Sequence, residues 1–287
     1  MIGPIDLHTH STCSDGTFSP TELIDYAAKQ GLTAIALTDH DTLEGIPEAA
    51  EAAKRSGVEL IAGIEFSTVF HNRDLHILGL EMDCQNPRLR EEILRVQTER
   101  RRRNQQMIDR MAADGIDISA RQMAETYGDR LWTRAHFARY LADHGYVKTM
   151  KDAFQTHIGE HCKYYVPRDR VSPFQMVSLI RETGGIPVLA HPFQYRLETE
   201  ELKQLLLALK EKGLIGVEAI YSTHTAGQER QIRRLAEETG LQISGGSDFH
   251  GANKPDIDLG RGKGNLRIPY EILENLREVR DAVDTRA

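Results

Sequence analysis

The sequence has few of the features that mark secreted or membrane proteins. Its three cysteines, Cys13, Cys84 and Cys162, are widely spaced, and none forms a C-x-x-C pair. This argues against a disulfide framework and against a cysteine-bound structural zinc, and it fits a reducing compartment. No run of 18 apolar residues occurs, and the N-terminus lacks the basic and apolar regions of a signal peptide. We therefore expect a cytoplasmic protein with no membrane partner.

Aromatic residues and net positive charge are also scarce. Aromatic side chains make up 6% of the 287 residues, and the formal net charge is −7. This charge has the wrong sign for a general polyanion binder, so a phosphate-bearing substrate must be attracted by a local positive site. The length fits one large domain, with or without an insertion. No segment indicates an obligate protein partner.

The chain does contain a regular alternation of apolar runs and amphipathic segments. The segment "SPTELIDYAAKQG" has a Ser-Pro start and a closing Gly31, which are typical helix boundaries. Strands that alternate with helices favour an α/β fold with a largely parallel sheet or barrel. The third and fourth runs are close enough to form a hairpin across "HNR". The predicted strands are 5–10, 33–41, 58–70, 74–82, 185–192, 215–222 and 241–250.

The middle of the chain breaks this alternation. Helical signals dominate from 86 to 165, beginning with a long helix that ends at Gly115. We therefore predict a catalytic barrel formed by 1–85 and 166–287, with a small helical insertion at 86–165 that caps the active site. The insertion contains "ERRRRN" (99–104). Consecutive arginines spread around a helix, which favours a solvated face over a nucleic-acid contact.

Possible metal ligands recur where the predicted strands end. His8 and His10 are two positions apart, so on an extended strand both side chains point to the same side. In α/β folds, side chains at the carboxyl ends of the strands converge in one crevice. Six histidines and three carboxylates occupy such positions: His8, His10, Asp15, His40, Glu65, His76, His191, Asp248 and His250.

This set of residue types predicts a multinuclear metal site. Imidazole and carboxylate groups bind Mn²⁺, Fe²⁺ and Zn²⁺ alike. Nine groups exceed the roughly four to six that one ion accepts, so we expect two or three divalent ions, with manganese as the first expectation and iron or zinc as alternatives. Three ions carry +6 and three carboxylates carry −3, which leaves about +3 to attract a phosphate. Ions about 3.5–4 Å apart can also ionise a bridging water.

The motifs that carry these groups resemble those of the PHP (polymerase and histidinol phosphatase) family of metal-dependent phosphoesterases. They are, in order, "HTHSTCSDG", "TDHD", "GIE", "LHILG", "AHP" and "GSDFH". The resemblance implies a distorted (β/α)7 barrel with a trinuclear site at its C-terminal face. It assigns one ion to His8, His10, Glu65 and Asp248, and a second, bridged by Glu65, to His76 and His191. It assigns the third ion to Asp15, His40 and His250.

The insertion segment "LWTRAHFARYL" resembles short bacterial members that act on nucleoside 3′,5′-bisphosphates. The resemblance implies removal of the 3′-phosphate by a metal-bridging hydroxide, which leaves a 5′-mononucleotide. Arg134 would hold the other phosphate, because a guanidinium matches phosphate oxygens. His136 is a second candidate contact, although two positions along a helix point it away from Arg134. His224, in "YSTH", is a candidate substrate contact and general acid.

Three alternatives stay open. A 5′–3′ exoribonuclease acting on short 5′-phosphorylated RNA would use the same site, but it needs stacking platforms beyond the first nucleotide. A histidinol phosphatase would also share the barrel. A non-catalytic PHP module is the third alternative, and the complete ligand set argues against it. The expected partner is a small nucleotide or a short RNA. The residues that could stack one base are Trp132, Tyr164, Tyr165 and Phe193.

Overall fold

A computed structural model describes residues 3–71, 73–167 and 171–285 of the chain. The chain divides into two compact units. The first unit comprises Met1–Glu91 and Val171–Ala287 and contains a seven-stranded sheet. The second unit comprises Glu92–Arg170 and is built from helices. The predicted bounds of 86–165 and the capping role of that segment stay predictions.

The seven strands form one sheet in chain order. The first three strands pair in parallel, and so do the last three. The fourth strand is antiparallel to both of its neighbours and forms a hairpin with the third. A strand lies in each of the seven predicted runs, and the predicted hairpin is confirmed. The strands are β1 Ile5–Thr9, β2 Ala34–Leu37, β3 Glu59–Phe70, β4 Arg73–Leu80, β5 Ile186–Leu189, β6 Gly216–Tyr221 and β7 Gln242–Gly246.

Helices connect most of these strands, as the alternation predicts. Helix α1 shows how local sequence sets the boundaries: Ser19 Oγ accepts from Glu22 N at 3.2 Å, and Glu22 accepts from Ser19 N at 2.7 Å. Gly31 ends the helix with φ 75°, a conformation that favours glycine. The helices are α1 Pro20–Gln30, α2 Ile46–Ser56, α3 Pro87–Ala113, α4 Ala120–Tyr127, α5 Arg134–Asp143, α6 Met150–Ala153, α7 Pro173–Glu182, α8 Thr199–Lys210, α9 Ala226–Thr239 and α10 Glu271–Asp284.

The sheet nearly closes into a barrel, because the chain after β7 returns to β1. Asp248 N donates to His8 O at 2.8 Å, and His10 N donates to Phe249 O at 3.0 Å. The expected (β/α)7 barrel is therefore confirmed, and the antiparallel β4 is its main departure from regular alternation. These two bonds place the ends of β1 and β7 side by side.

Each unit has its own apolar core. In the barrel, every residue of β1, β2, β5 and β6 is buried, as expected when both faces of a strand are covered. In the helical unit, α3 and α5 supply half of the buried residues of a separate core that includes Met107, Met111 and Phe137. Polar side chains within the buried strands must therefore have partners or a function. Among the described residues, no helix is both long and apolar enough to cross a bilayer.

The predicted strands 33–41, 185–192 and 241–250 are too long at their carboxyl ends. The strands β2, β5 and β7 end at Leu37, Leu189 and Gly246. His40, His191, Asp248 and His250 therefore lie in the loops that follow the strands. The physical reason is that backbone leaving the hydrogen-bonded ladder can turn these four side chains toward the ligands that lie inside strands, such as His8 and Glu65. His191 (φ 25°) and Asp248 (φ 57°) even adopt positive φ, at a cost of about 1–3 kcal/mol each.

The closure at β1 and β7 predicts the effect of a single methyl group. A Cβ on Gly246 would lie 2.2 Å from His8 Cβ and 2.7 Å from His8 N. We call the hydrogen bonds between β1 and the chain after β7 the seam. We expect Gly246→Ala to lower the free energy of unfolding by about 3 kcal/mol or more, because neither backbone can move without breaking the seam. Urea unfolding measures this change. Gly227→Ala is the control, since only Thr225 Oγ1 lies within 4 Å, at 3.8 Å. Equal stability of the two variants would contradict the prediction.

Candidate metal centre

The structure brings the nine predicted ligand side chains together at the carboxyl end of the barrel. Seven are buried, and His40 and His76 are partly exposed. Four groups have ligand atoms that all lie within 4.8 Å of one another. His76 joins them from the start of β4, because this strand runs opposite to its neighbours. The groups are His10, Asp15, His40 and His250; His8, Glu65 and His191; His8, His10 and Asp248; and His40, Glu65 and His76.

The carboxylate of Glu65 lies at the centre of the cluster. It is 1% exposed, and its two oxygens face different sets of imidazoles. Oε2 lies 3.1–3.4 Å from three ring nitrogens, and Oε1 lies 2.8 and 3.0 Å from two others. This division suits a carboxylate shared between two ions. The rings that face Oε2 belong to His8, His10 and His40, and those that face Oε1 belong to His76 and His191.

The other two carboxylates lie at the side of the cluster nearest His250. Asp15 Oδ1 is 3.2 Å from His250 Nε2, and Asp15 Oδ2 is 3.8 Å from His40 Nε2. Asp248 Oδ1 is 3.3 Å from His250 Nδ1 and 3.4 Å from His10 Nε2. Both carboxylates therefore turn an oxygen toward imidazole nitrogens, as ligands of common ions would.

Several buried ring nitrogens have no hydrogen-bond partner among the described residues. They are Nε2 of His8 and His10, and Nδ1 of His40 and His191. Carboxylate oxygens lie near the first three of these atoms, but without hydrogen-bond geometry. A buried polar atom in this state is costly unless an ion occupies the space between the groups. The donor set of imidazole and carboxylate fits divalent transition metals.

Neighbouring groups lower the pKa of two carboxylates in the cluster, and burial lowers the pKa of two imidazoles. Burial would raise the pKa of Glu65 and Asp15, but nearby imidazoles, His40 first, hold each pKa well below its ordinary value. Burial lowers the pKa of His40 well below its ordinary value and also lowers that of His250. Ionised carboxylates and neutral imidazoles are the forms that bind metal ions.

His8 in β1 and His10 directly after it behave differently. Burial opposes a charge on His8, but the charges of Glu218 and Glu65 raise its pKa well above the ordinary value. Burial also opposes a charge on His10, but the nearby carboxylates of Asp248 and Glu65 raise its pKa to about 9. A divalent ion would take the place of these protons, so metal binding at this point releases protons.

Sequence reasoning missed Glu218, which supports two of the predicted ligands. This side chain is fully buried in β6. Its Oε1 lies 3.1 Å from His8 Nδ1, and its Oε2 accepts from His191 N at 2.8 Å. A carboxylate at Nδ1 fixes the ring orientation and turns Nε2 toward the cluster. The signal that could have found it is an acidic residue inside the apolar run "IGVEAIY", where an unpaired charge would be costly.

Other buried aspartates hold the loops that carry the ligands. Asp39 accepts from Ser11 N at 2.8 Å and from Ser14 Oγ at 2.5 Å, which secures the loop that leads to Asp15. Asp6 accepts from Ser247 N at 2.8 Å, and burial raises the pKa of its carboxyl to about 6. These contacts position the loops before and after the seam.

Asp248 is held on its outer side by two residues that the sequence patterns did not indicate. Tyr221 Oη donates to Asp248 Oδ2 at 2.6 Å, and Lys254 Nζ lies 2.5 Å from the same oxygen. Burial would raise the pKa of Asp248, but the charges of Lys254 and His250 hold it well below its ordinary value. The two oxygens thus have separate tasks, with Oδ1 facing the histidines. No motif in the sequence points to Lys254, which follows a Gly-Ala-Asn turn.

The predicted substrate contacts in the helical unit have clear local partners. The guanidinium of Arg134 lies 5.7 Å from the ring centre of Tyr165 and 5.9 Å from that of Phe154. His136 is buried, and its Nδ1 accepts from Thr133 N at 3.0 Å at the start of α5. The contact of His136 belongs to the helix cap. The roles of both residues in substrate binding stay predictions.

His224 follows β6 and is buried beside two aromatic rings. Its Nδ1 donates to Ala219 O at 2.9 Å, and its Nε2 has no hydrogen-bond partner within the described ranges. The rings of Phe193 and Tyr221 lie 5.2 and 5.1 Å away. Burial lowers its pKa, so near neutral pH Nε2 presents a lone pair. Proton donation would first require protonation at Nε2, and the role as general acid stays a prediction.

A nearly closed (β/α)7 barrel with such a cluster at its strand ends defines a class of metal-binding hydrolases. Comparison with known proteins supports this class, since the PHP domain model matches residues 6–243. The chain belongs to the PHP family of phosphoesterases.

Similar proteins carry two different activity names. A 5′-3′ exoribonuclease of Haemophilus influenzae is 38% identical over 250 residues, which cover 87% of this chain and 91% of the relative. A 3′,5′-nucleoside bisphosphate phosphatase of Chromobacterium violaceum is 35% identical over 257 residues, covering 89% and 90%. The structure of a candidate metal-dependent phosphoesterase of Bifidobacterium adolescentis matches with a TM-score of 0.83 and 29% identity, covering 95% of both chains.

The contacts of Glu218 predict a specific defect in metal binding. We expect Glu218→Gln to keep the fold but to weaken Mn²⁺ binding by about 10- to 100-fold, because the amide lacks the charge that orients His8. Isothermal titration calorimetry with Mn²⁺ measures the affinity. Glu211→Gln, on an exposed carboxylate after α8, is the matched control. An unchanged Mn²⁺ affinity in Glu218→Gln would show that this carboxylate does not support the site.

Proposed function

We propose that the protein is a metal-dependent phosphatase that removes the 3′-phosphate of nucleoside 3′,5′-bisphosphates. The observation that carries this proposal is the convergence of six imidazoles and three carboxylates, with unpaired buried ring nitrogens among them. The name of the Chromobacterium violaceum relative supports the substrate class.

The nine side chains would hold two or three divalent ions, with manganese as the first candidate. Bound ions would polarise the phosphoryl oxygens and acidify a water molecule. The side chains of the protein supply the charge and the orientation of the site. Glu65 supplies a shared negative charge, Asp248 is fixed through its outer oxygen, and Glu218 orients His8.

Lys254 is our candidate for direct contact with the phosphate that is removed. Its side chain is 36% exposed, and its ammonium lies 2.5 Å from Asp248 Oδ2. The carboxylate of Asp248 lies between this ammonium and the proposed ions, and one negative charge offsets only part of the repulsion between them. A substrate phosphate would add a second anion close to both, so its binding would reduce the remaining repulsion.

Arg134 and His224 are our candidates for two further contacts with the substrate. Arg134 is our candidate for the other phosphate, since its guanidinium is steadied against Phe154 and Tyr165. His224 presents an Nε2 lone pair that could accept a hydrogen bond from a substrate hydroxyl. A proton must also reach the leaving oxygen, and His224 could deliver it only after protonation.

A 5′–3′ exoribonuclease acting on short RNA is the second candidate function. The Haemophilus influenzae relative carries this name. Both activities would need the same metal cluster, and they differ in the bond that breaks. Release of inorganic phosphate from adenosine 3′,5′-bisphosphate indicates the first activity. Release of mononucleotides from a 5′-phosphorylated RNA pentamer indicates the second.

Removal of one ligand charge tests the proposed chemistry. With Mn²⁺ and adenosine 3′,5′-bisphosphate, we expect Asp248→Asn to lose at least about 10²-fold in phosphate release, because the cluster loses a negative ligand. Phosphate release is measured colorimetrically, and circular dichroism checks the fold. Asp256→Asn, at an exposed position, serves as the control. Full activity of folded Asp248→Asn, or no phosphate release by the wild-type protein, would overturn the proposal.

Variants of Lys254 separate phosphate contact from structural support. We expect Lys254→Met to reduce kcat/KM for the bisphosphate by about 10- to 100-fold and to weaken competitive inhibition by inorganic phosphate, since a charge-assisted contact is lost. Lys254→Arg should recover part of both effects. The Mn²⁺ content, measured by elemental analysis, should match that of the wild type and of the exposed control Lys29→Met. Loss of metal together with activity would instead assign Lys254 to support of Asp248.

A further inference from the structure

The helical unit contains a small cavity that none of the functions above uses. It has a volume of about 200 Å³ and lies between α3 and the segment that joins α4 to α5. This volume is below the roughly 300–1,000 Å³ of pockets for drug-sized ligands, so it suits a single planar ring. Its lining residues are Arg101, Asn104, Gln105, Asp129, Arg130 and Trp132.

Asn104 lies in the wall of the cavity beside Trp132. This side chain is 3% exposed, and its Nδ2 donates to Trp132 O at 2.8 Å. The bond fixes the backbone that carries the tryptophan ring.

Trp132 forms a rigid aromatic wall of the same cavity. It is the single tryptophan of the chain and packs partly against the apolar core of the helical unit. Its Nε1 donates to Gly128 O at 3.0 Å, and its own carbonyl accepts from Asn104. Both ends of the residue are therefore fixed. A fixed aromatic ring at a cavity is a stacking surface for a flat ligand.

Two arginines give the cavity a positive character. Within the ranges that the structure describes, neither Arg101 nor Arg130 has an ion-pair partner within 4.0 Å. Asp129 offsets one of the two charges, which leaves about one net positive charge at the lining. Guanidinium groups in this setting favour phosphate or carboxylate. Arg101 and Asn104 both belong to the segment "ERRRRN", on its exposed and buried sides respectively.

We propose that this cavity binds one nucleotide of a single-stranded RNA. The base stacks on Trp132, and Arg101 and Arg130 attract the neighbouring phosphates. The choice of RNA among ligands that join a flat ring to a phosphate rests on the nucleotide chemistry proposed above. The site would give the protein a second point of contact with an oligonucleotide, which a free bisphosphate does not need.

The fluorescence of Trp132 reports this binding directly, because no other tryptophan contributes. The titration uses the metal-loaded Asp248→Asn protein, so that turnover does not interfere, with a 5′-phosphorylated adenosine pentanucleotide as the probe. We expect saturable quenching by the RNA and none by inorganic phosphate. Equal quenching by inorganic phosphate, or no quenching by RNA, would overturn the proposal.

Variants test the contacts by anisotropy of a labelled pentanucleotide. We expect Trp132→Leu to weaken RNA binding roughly 5- to 150-fold, the range that stacking of one base contributes, and Trp132→Phe to recover most of it. The double variant Arg101→Met/Arg130→Met should also bind RNA more weakly, whereas Arg121→Met, an exposed arginine on α4, should not. Wild-type RNA affinity in both Trp132→Leu and the double variant would overturn the proposal.

The two proposals can fail separately. Binding to the cavity is measured without turnover, so it can be observed even if the protein releases no phosphate from the bisphosphate. Conversely, the double variant Arg101→Met/Arg130→Met should leave kcat/KM for adenosine 3′,5′-bisphosphate unchanged. A large loss on the bisphosphate in this variant would place the two arginines in the primary substrate site and overturn the proposal of a separate contact.

Discussion

A single buried carboxylate balances the charges on which the site depends. Glu65 faces five imidazoles through its two oxygens, and these rings come from four separate parts of the chain. Without this negative charge, the imidazoles would meet in a buried space with little to offset any proton or ion that they bind. The sheet order brings them together, because β3 pairs with β2 on one side and with β4 on the other. The barrel and the metal chemistry are therefore parts of one electrostatic arrangement.

The sequence contained most of the fold and all nine candidate ligands. The strands could be predicted because each contains a run rich in apolar residues, and the H-x-H and D-x-H spacings marked two strand ends. The exact strand ends were not readable, since His191 and Asp248 adopt backbone conformations that pattern alone does not indicate. Glu218 and Lys254 also escaped prediction. Each acts through a contact with a residue more than five positions away, and no local motif encodes such a contact.

The helical unit shows a different limit of sequence patterns. Consecutive arginines in "ERRRRN" were expected to spread around a helix on a solvated face. They do spread, and Arg101 and Arg102 are exposed, but the solvated face was wrong for Arg100 and Arg103, which are buried. Periodicity could not tell that Arg103 donates to Val166 O at 2.8 Å, a contact across 63 residues. His136 shows the same limit. Its motif was interpreted as a substrate contact, whereas its contact with Thr133 N belongs to the helix cap.

The seam between β1 and β7 has a consequence for how the protein is made. Asp6 and Ser247 are 241 residues apart in sequence, yet they share a hydrogen bond beside the cluster. A ribosome-bound chain that lacks the last strand cannot assemble Asp248 next to His8, so a partly synthesised polypeptide has no complete place for the ions. Capture of metal then comes late in folding, and it would favour the finished chain over every shorter intermediate.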